Sequence, residues 1–417
     1  MFDIVVIGGG ASGMAAAIEA AERGCRVCIA EKMDRVGKKL LATGNGRCNL
    51  SNRDLGRCHF HGSVAALLPQ MSAAADGKTV EAFWRHIGID YIELEKGKLY
   101  PRSLQASAAL NALRRRLAQL NVTIKTETTI SEIRKAKGGF SLKAGADMLS
   151  AQAVILCAGG RAYPKLGAAG EGARLAETLN MKVQNLRPAL CRLNLDFPYL
   201  KRLAGIKISV PAALYENNRK LGDDAGDVLF TATGVSGPPI LNLSRQAGEV
   251  LARRGTPQLV LDLVPEMEKE ALTRYLRQRF RRLEGWTLAE ALEGFLPMKV
   301  AEVTLLLAGL NAKQSAAVSE DELQRLAAVM KAWTAPVSGL AGWQEAQITV
   351  GGVHVSEVTE RLESRRCRGL FLAGEVLDID GDCGGYNLQW AVGSGVWAAR
   401  GAAEWIKVKH VKRNNSK

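Results

Sequence analysis

The chain runs to 417 residues, 47% of them hydrophobic and 24% charged, with 56 Lys and Arg against 42 Asp and Glu for a formal charge of +14. That composition belongs to a soluble globular protein of two or three domains, and no apolar run reaches the roughly 18–20 residues of a membrane span. Eight thinly spread cysteines exclude a disulfide scaffold, and no His pair or second Cys-x-x-Cys stands at ligand spacing, so no metal site is expected.

The first stretch, "MFDIVVIGGG", lacks the basic start of a signal peptide, and its apolar run ends in glycines; it reads as a first strand of a cytoplasmic protein. The opening is expected to run strand (3–7), turn, helix (13–23) closed by Gly24, strand (26–30). Its turn carries Gly8-x-Gly10-x-x-Gly13, and Glu31 follows 18 residues after Gly13. Gly8 permits the tight turn, Gly10 lets backbone approach a pyrophosphate, and Gly13 lets the helix pack on the strand. The helix start offers N–H groups and a positive dipole end to phosphates, and Glu31 can accept hydrogen bonds from a ribose. Cys25 and Cys28 form a Cys-x-x-Cys in a predicted strand, where residues three apart face opposite ways, so no redox pair is expected.

Next comes "LLATGNGRCNLSN" (40–52), in which Gly44, Asn45 and Gly46 are followed by Arg47, Cys48 and Asn49. That is more chemistry than a turn requires. The segments at 121–133, 139–145 and 148–160 alternate as strands and close on a small-residue turn ending at Gly159 and Gly160. This is the pattern of glutathione-reductase-type FAD domains. From Leu186 the texture changes to short strands with Pro and Gly punctuation and no sustained helical period, which is expected to form a β-rich unit such as a small barrel. Pro265 opens a helical block of four amphipathic segments, the last begun by a Ser319–Glu322 capping box. Extended chain returns at 347–350, an apolar strand covers 369–376, and a helix over about 393–406 closes the fold.

The expected architecture is α/β: a Rossmann-like FAD-binding domain (1–188 and 347–410) interrupted by a β-barrel-like insert (189–264) and a small helical subdomain (265–346), with a basic tail at 411–417. The excess positive charge falls mainly at 114–117, 277–283, 363–368 and the C-terminus. Few aromatics interleave there, which argues for solvated faces over a nucleic-acid surface.

Seven stretches in order across nearly the whole chain resemble the BaiN-like flavoproteins, also described as aminoacetone oxidase-family FAD-binding enzymes or NAD(P)/FAD-dependent oxidoreductases. They include "DIVVIGGGASGMAAAI", "GKKLLATGNGRCNLSN", "KLYPRSLQAS", "FTATGVSGPPILNLS" and "LFLAGEVLDIDGDCGGYNLQWAVGSG". The pairing of "TGNGRCN" with "GDCGGYNLQWA" is the specific part. "GAAGEG" (167–172) departs slightly, with Ala and Glu where relatives often carry Ser or Thr and Asp.

The resemblance implies non-covalent FAD. Asn45, Gly46, Cys48 and Asn49 would lie along the flavin, with Arg47 offsetting phosphate charge or stabilising reduced flavin. Gly374 and Glu375 would hold the ribityl chain. Gly385, Asn387, Leu388 and Gln389 would start the final helix, its N-terminus toward the flavin pyrimidine, and Ile130 would contact adenine. Ser12, Lys32, Lys39 and Gly159 complete the expected cofactor set.

Cys48 and Cys383 are expected as buried small residues rather than a redox pair. His59 and His61 read as exposed loop histidines rather than a covalent flavin anchor, and Ser236 as turn chemistry rather than a nucleophile. No catalytic proton donor is assigned; Tyr386 and His354 are nominees with structural roles the better reading.

The implied activity is hydride transfer from NAD(P)H through flavin N5 to a small organic acceptor such as the conjugated 3-oxo enone of a bile-acid intermediate. Only one dinucleotide fingerprint is present, so the nicotinamide would dock transiently. The insert would cover the flavin face and choose the substrate. The alternatives are an oxidase of a small amine such as aminoacetone, and a flavin-containing RNA-binding or redox-sensing protein.

Overall fold

The computed structural model describes residues 1–63, 76–310 and 315–414. The chain divides into two units, Met1–Pro188 with Trp343–Lys417, and Ala189–Gly342. Each has its own apolar core.

Five strands of the first unit run parallel in the order Thr123–Lys125, Val27–Ala30, Phe2–Ile7, Asp147–Leu156, Leu370–Leu372. Ile4, Val5, Val6, Val154, Ile155 and Leu156 are fully buried, as apolar runs are when both faces of a parallel sheet are covered. Asp147–Leu156 also turns antiparallel onto Gly139–Ala144, which pairs with Ile130–Ala136. The opening helix, Ala11–Glu22, is lined with buried alanines and packs against the final helix, Tyr386–Asn414.

That final helix begins seven residues before the expected 393 and runs past 406 to Asn414. In the fold, a Cβ on Gly395 would lie 2.3 Å from the Ser12 carbonyl oxygen, so the glycine is the condition for two helices to approach closely. Part of the segment expected as a basic tail is thus helical, and its last three residues lie outside the described ones.

Two short ladders of this unit position the candidate site. Ser51–Asn52 pairs with Lys98–Pro101, which pairs with Tyr91–Glu93, and Phe60–Gly62 pairs with Ile379–Gly381.

In the second unit six strands close a barrel in the order Leu193–Leu195, Gly234–Ser236, Arg219–Thr231, Lys207–Glu216, Gln258–Leu261, Trp333–Leu340. Phe230, Trp333, Leu214 and Leu259 fill it, each at most 1% exposed. The closing strand, Trp333–Leu340, lies in the stretch expected to be helical. Conversely, Pro238–Ala252 is a helix inside the stretch read as free of helical period. Its buried Ile240, Leu243, Ala247 and Val250 fall three, four and three apart, a helical stripe masked by the Pro-Pro start.

Further helices of this unit are Leu200–Leu203, Lys269–Arg282, Leu288–Leu292, Met298–Leu307 and Glu320–Lys331. The Ser319–Glu322 capping box is present, and Thr287 with Glu290 makes a second. No helix among the described residues is long and apolar enough to cross a membrane.

Candidate active site

A cleft with about 760 Å³ of open space lies at the carboxyl ends of the parallel strands. It gathers Gly8, Gly10, Glu31, Lys32, Lys39, Ile130, Gly159 and Glu375. Gly8 turns with φ +101, and a Cβ there would lie 2.5 Å from the Cys157 carbonyl oxygen. A Cβ on Gly13 would meet the Gly8 carbonyl oxygen at 1.9 Å, so only glycine lets the helix seat on the turn. Over Gly10 and Gly159 a Cβ would meet nothing within 4 Å, which leaves open space for a ligand. Gly10 caps the opening helix without a side-chain hydrogen bond, so the first-turn N–H groups remain available to an anion.

Glu31 is 8% exposed, and its two oxygens accept the N–H groups of Gly9 (2.7 Å) and Met33 (2.8 Å). A carboxylate has about four lone-pair sites, so capacity for ribose hydroxyls remains. Lys32 pairs with Glu171 at 2.5 Å, and Lys39 with Glu375 at 2.9 Å. Burial pushes the Glu171 carboxyl up, but Lys32 and the Ala169 N–H outweigh it and leave it below the ordinary range. Glu375 also accepts from Thr349 N–H at 2.7 Å. Ser12 does not line this cleft: its hydroxyl lies under the turn, bonded to the Cys157 thiol, which burial pushes up to about 12.

In the loop at 43–49, Gly44, Asn45, Gly46 and Cys48 all carry positive φ, between 53 and 82°. For Asn45 and Cys48 that conformation costs about 1 kcal/mol or more each. Cys48 N–H bonds to Thr43 O at 3.0 Å, and Arg47 N–H to Gly44 O at 3.1 Å, holding the loop. The Cys48 side chain is fully buried, and burial pushes its thiol up to about 12 despite a Thr43 hydrogen bond, so it is a packing thiol rather than a thiolate. Asn45, Gly46 and Arg47 point outward as an exposed rim.

Asn49 turns inward. It is 9% exposed, and its buried Oδ1 has no hydrogen-bond partner. This acceptor lies 2.7 Å from where a Cβ of Gly385 would stand, beside the start of the final helix. Around it the chain is stitched together. The Ser51 hydroxyl donates to Gln389 Oε1 at 2.7 Å, and Asn52 Nδ2 donates to Gly384 O at 3.0 Å. A Cβ on Gly385 would lie 2.4 Å from Ser51 O. Asn387 accepts from Gly381 N–H (2.9 Å) and donates to the Gly381 and Asp382 carbonyls (2.7 and 3.3 Å), so its amide clamps a turn rather than reaching outward. Leu388 and Gln389 are buried.

His59, ending the turn Arg57–His59, and His61, in the strand Phe60–Gly62, are half-buried rather than exposed, and both reach Asp382. His59 Nδ1 lies 2.9 Å from Asp382 Oδ2, His59 Nε2 3.1 Å from Asp54 Oδ2, and His61 Nε2 2.7 Å from Asp382 Oδ1. An imidazole that gives a proton to a carboxylate at each nitrogen is an imidazolium. Burial pulls the His59 pKa down, but Asp382 and Asp54 outweigh it and leave it raised. The Tyr386 ring stacks on His59 at 4.5 Å, and burial, then Asp54 and Asp382, push its hydroxyl up to about 12. His354 caps a short turn, accepting from Ser356 N–H at 3.2 Å. Sequence reasoning missed the His59–Asp382–His61 cluster because its members lie about 320 positions apart, joined only by strand pairing.

An unsatisfied inward acceptor, uncapped helix N–H groups, open backbone over Gly10 and Gly159, and a lysine at the cleft suit a dinucleotide with a hydrogen-bonding ring, so these residues fit FAD.

Residues 2–401 match the family described as HI0933-like protein Rossmann domain. The chain belongs to that family. Over 408 residues this family member is 34% identical to the 3-dehydro-bile acid delta(4,6)-reductase of Clostridium scindens, covering 96% of this chain and 99% of that protein. Over another 408-residue match it is 28% identical to the ribosomal RNA dihydrouridine synthase of Escherichia coli, covering 95% and 96%. Among solved structures, 3-ketosteroid delta1-dehydrogenase from Sterolibacterium denitrificans shares the fold, with a TM-score of 0.51 at 14% identity over 97% of this chain and 99% of that one. The chain is thus an oxidoreductase built on an FAD-binding Rossmann fold.

Proposed function

We propose that the chain saturates a carbon–carbon double bond conjugated to a carbonyl, with NAD(P)H as transient electron donor. The observation that carries this reading is the 34% identity to a bile-acid reductase over essentially the full length of both proteins. The second relative's name describes the same chemistry on another scaffold. Dihydrouridine is uridine whose ring double bond, conjugated to a carbonyl, has been saturated. Saturating an α,β double bond conjugated to a carbonyl by hydride transfer places the hydride on the β-carbon and a proton on the α-carbon.

FAD, when bound, supplies the hydride from N5. The chain's own residues do the rest. Gly8, Gly10 and the N–H groups opening the helix Ala11–Glu22 would hold the pyrophosphate. Glu31, its orientation fixed by Gly9 and Met33 N–H, would take the ribose hydroxyls. Lys39, which pairs with Glu375, would answer phosphate charge, and Glu375, anchored by Thr349 N–H, would accept from ribityl hydroxyls. Asn49, whose buried Oδ1 has no partner in the chain, would offer that acceptor to an N–H of the ring.

A second reading places the acceptor in RNA as a uracil base. Charge favours it. Ala189–Gly342 holds 19 Lys and Arg against 17 Asp and Glu, so twelve of the fourteen excess charges belong to the unit that carries the cleft.

The test is an anaerobic titration with NADH and then NADPH, followed through the visible flavin band. The reduced enzyme is then offered a conjugated 3-oxo steroid or a uridine-containing RNA. Bleaching, then recolouring with a product two hydrogens heavier, is the expected result. A yellow protein that neither nucleotide bleaches overturns the reading.

A further inference from the structure

The stretch "KLYPRSLQAS" takes no part in the cleft that gathers the dinucleotide residues. Its strand, Lys98–Pro101, buries Leu99 and Pro101 and turns Lys98 and Tyr100 to the other side. Arg102 follows, exposed, so cation, aromatic and cation come at every second residue. The Tyr100 ring leans on the loop at 43–49, with Cε1 3.2 Å from where a Cβ of Gly44 would stand, and Arg47 is an electrostatic neighbour of its hydroxyl.

At its far end the stripe opens into a second cavity, about 840 Å³ of open space, walled by Arg102, Arg115, Ser107, Asn111 and the acidic Asp90. Ser107, Asn111 and Arg115 stand four apart along the helix Ala106–Gln119 and present one polar face. Among the described residues no carboxylate pairs with Arg47, Lys98, Arg102 or Arg115. Elsewhere in this unit, cations such as Lys32, Lys39, Arg53 and Arg116 are matched.

Unpaired guanidinium groups along a groove are phosphate ligands in waiting, and a half-buried aromatic between them offers a face to an unstacked base. We propose that the Lys98–Tyr100–Arg102 stripe and the Arg102/Arg115 cavity form a docking track for single-stranded RNA, leading the strand to the loop at 43–49. This rests on the reading in which the acceptor is a uracil base. The aromatic that composition did not reveal among the basic runs is supplied here by Tyr100, between cations rather than within a cluster of them.

The test uses the flavin-loaded full chain and a fluorescently labelled, uridine-containing RNA oligomer, with anisotropy read at several salt concentrations. Wild type is expected to bind with a steep salt slope. The double variant Arg102→Gln/Arg115→Gln is expected to bind at least about tenfold more weakly, with the slope of log K against log salt shallower by about 1.4, roughly 0.7 per lost phosphate contact on a single strand. Flavin content and far-ultraviolet circular dichroism of the variant are expected to match wild type, since both arginines are exposed.

Unchanged RNA affinity in the variant overturns the proposal, as does absence of wild-type binding at about 0.1 M salt. Competition by uridine monophosphate as effective as by the oligomer also overturns it, reducing the cavity to a small-phosphate site. Arginine-dependent RNA binding without uridine reduction leaves the track standing and refutes only the uracil reading.

Discussion

Replacing Asn49 by leucine separates the cofactor's contribution from that of the fold. The Asn49 carboxamide oxygen is buried without a partner in a residue only 9% exposed. A buried acceptor left unsatisfied costs about 1–3 kcal/mol, and an apolar group of similar shape removes that cost. The cofactor-free variant is therefore expected to be about 1 kcal/mol more stable than wild type. The bound protein loses a hydrogen bond that wild type makes only when loaded, so FAD affinity should fall by roughly 1.4 kcal/mol, about tenfold. The two effects have opposite signs, which a general packing defect cannot produce. Denaturant unfolding of the apoprotein gives the first, and quenching of flavin fluorescence on binding gives the second. An apoprotein destabilised by the change, with FAD affinity within about twofold of wild type, would refute the assignment of Asn49 to the ring edge.

Asn387→Ala removes three hydrogen bonds from one turn. At about 0.5–1.5 kcal/mol each, the loss should be near 2 kcal/mol in denaturant unfolding, with flavin retention weakened as a consequence. His59 is raised above its ordinary pKa because Asp382 and Asp54 outweigh burial. Its stabilisation is therefore complete below about pH 6.5 and is lost as pH rises through the folded-state value. Unfolding midpoints measured across that range should fall toward high pH in wild type and flatten in His59→Gln; identical profiles would dissociate the histidine from the effect. Gly395→Ala forces a methyl to within 2.3 Å of the Ser12 carbonyl oxygen, so a loss of at least about 1–3 kcal/mol is expected, read by chemical denaturation.

What the sequence makes legible follows how local each cause is. The turn at Gly8, Gly10 and Gly13 announces itself because all its constraints fall within a few residues, and the structure shows their physical basis in the 1.9 Å that a Gly13 side chain would have to violate. The capping box at Ser319 is local in the same sense. The residue pattern places the start of the final helix at about 393, and only the resemblance points to Gly385 through Gln389, because its first turn is held by partners far away in the chain, as Gln389 is by Ser51. The last barrel strand, Trp333–Leu340, closes on Leu193–Leu195 and Gln258–Leu261, a pairing that no window of sequence contains. At the site, glycines and amides could be nominated by type. That Asn49 has an unanswered acceptor while Asn387 is fully committed depends on the three-dimensional arrangement of neighbours. The helix Pro238–Ala252 is different: its stripe was in the sequence, and the proline pair at its start obscured it.

The broken connectivity of the first unit also bears on how the protein is made. When residue 188 has left the ribosome, the parallel sheet still lacks Leu370–Leu372, and the opening helix lacks the partner supplied by Tyr386–Asn414. The barrel unit, by contrast, is continuous in sequence and has all its strands once residue 342 has emerged. The part of the protein synthesised first is thus the last that can complete its core, and during that interval the apolar faces of Phe2–Ile7 and Asp147–Leu156 stand open to chaperones or to aggregation.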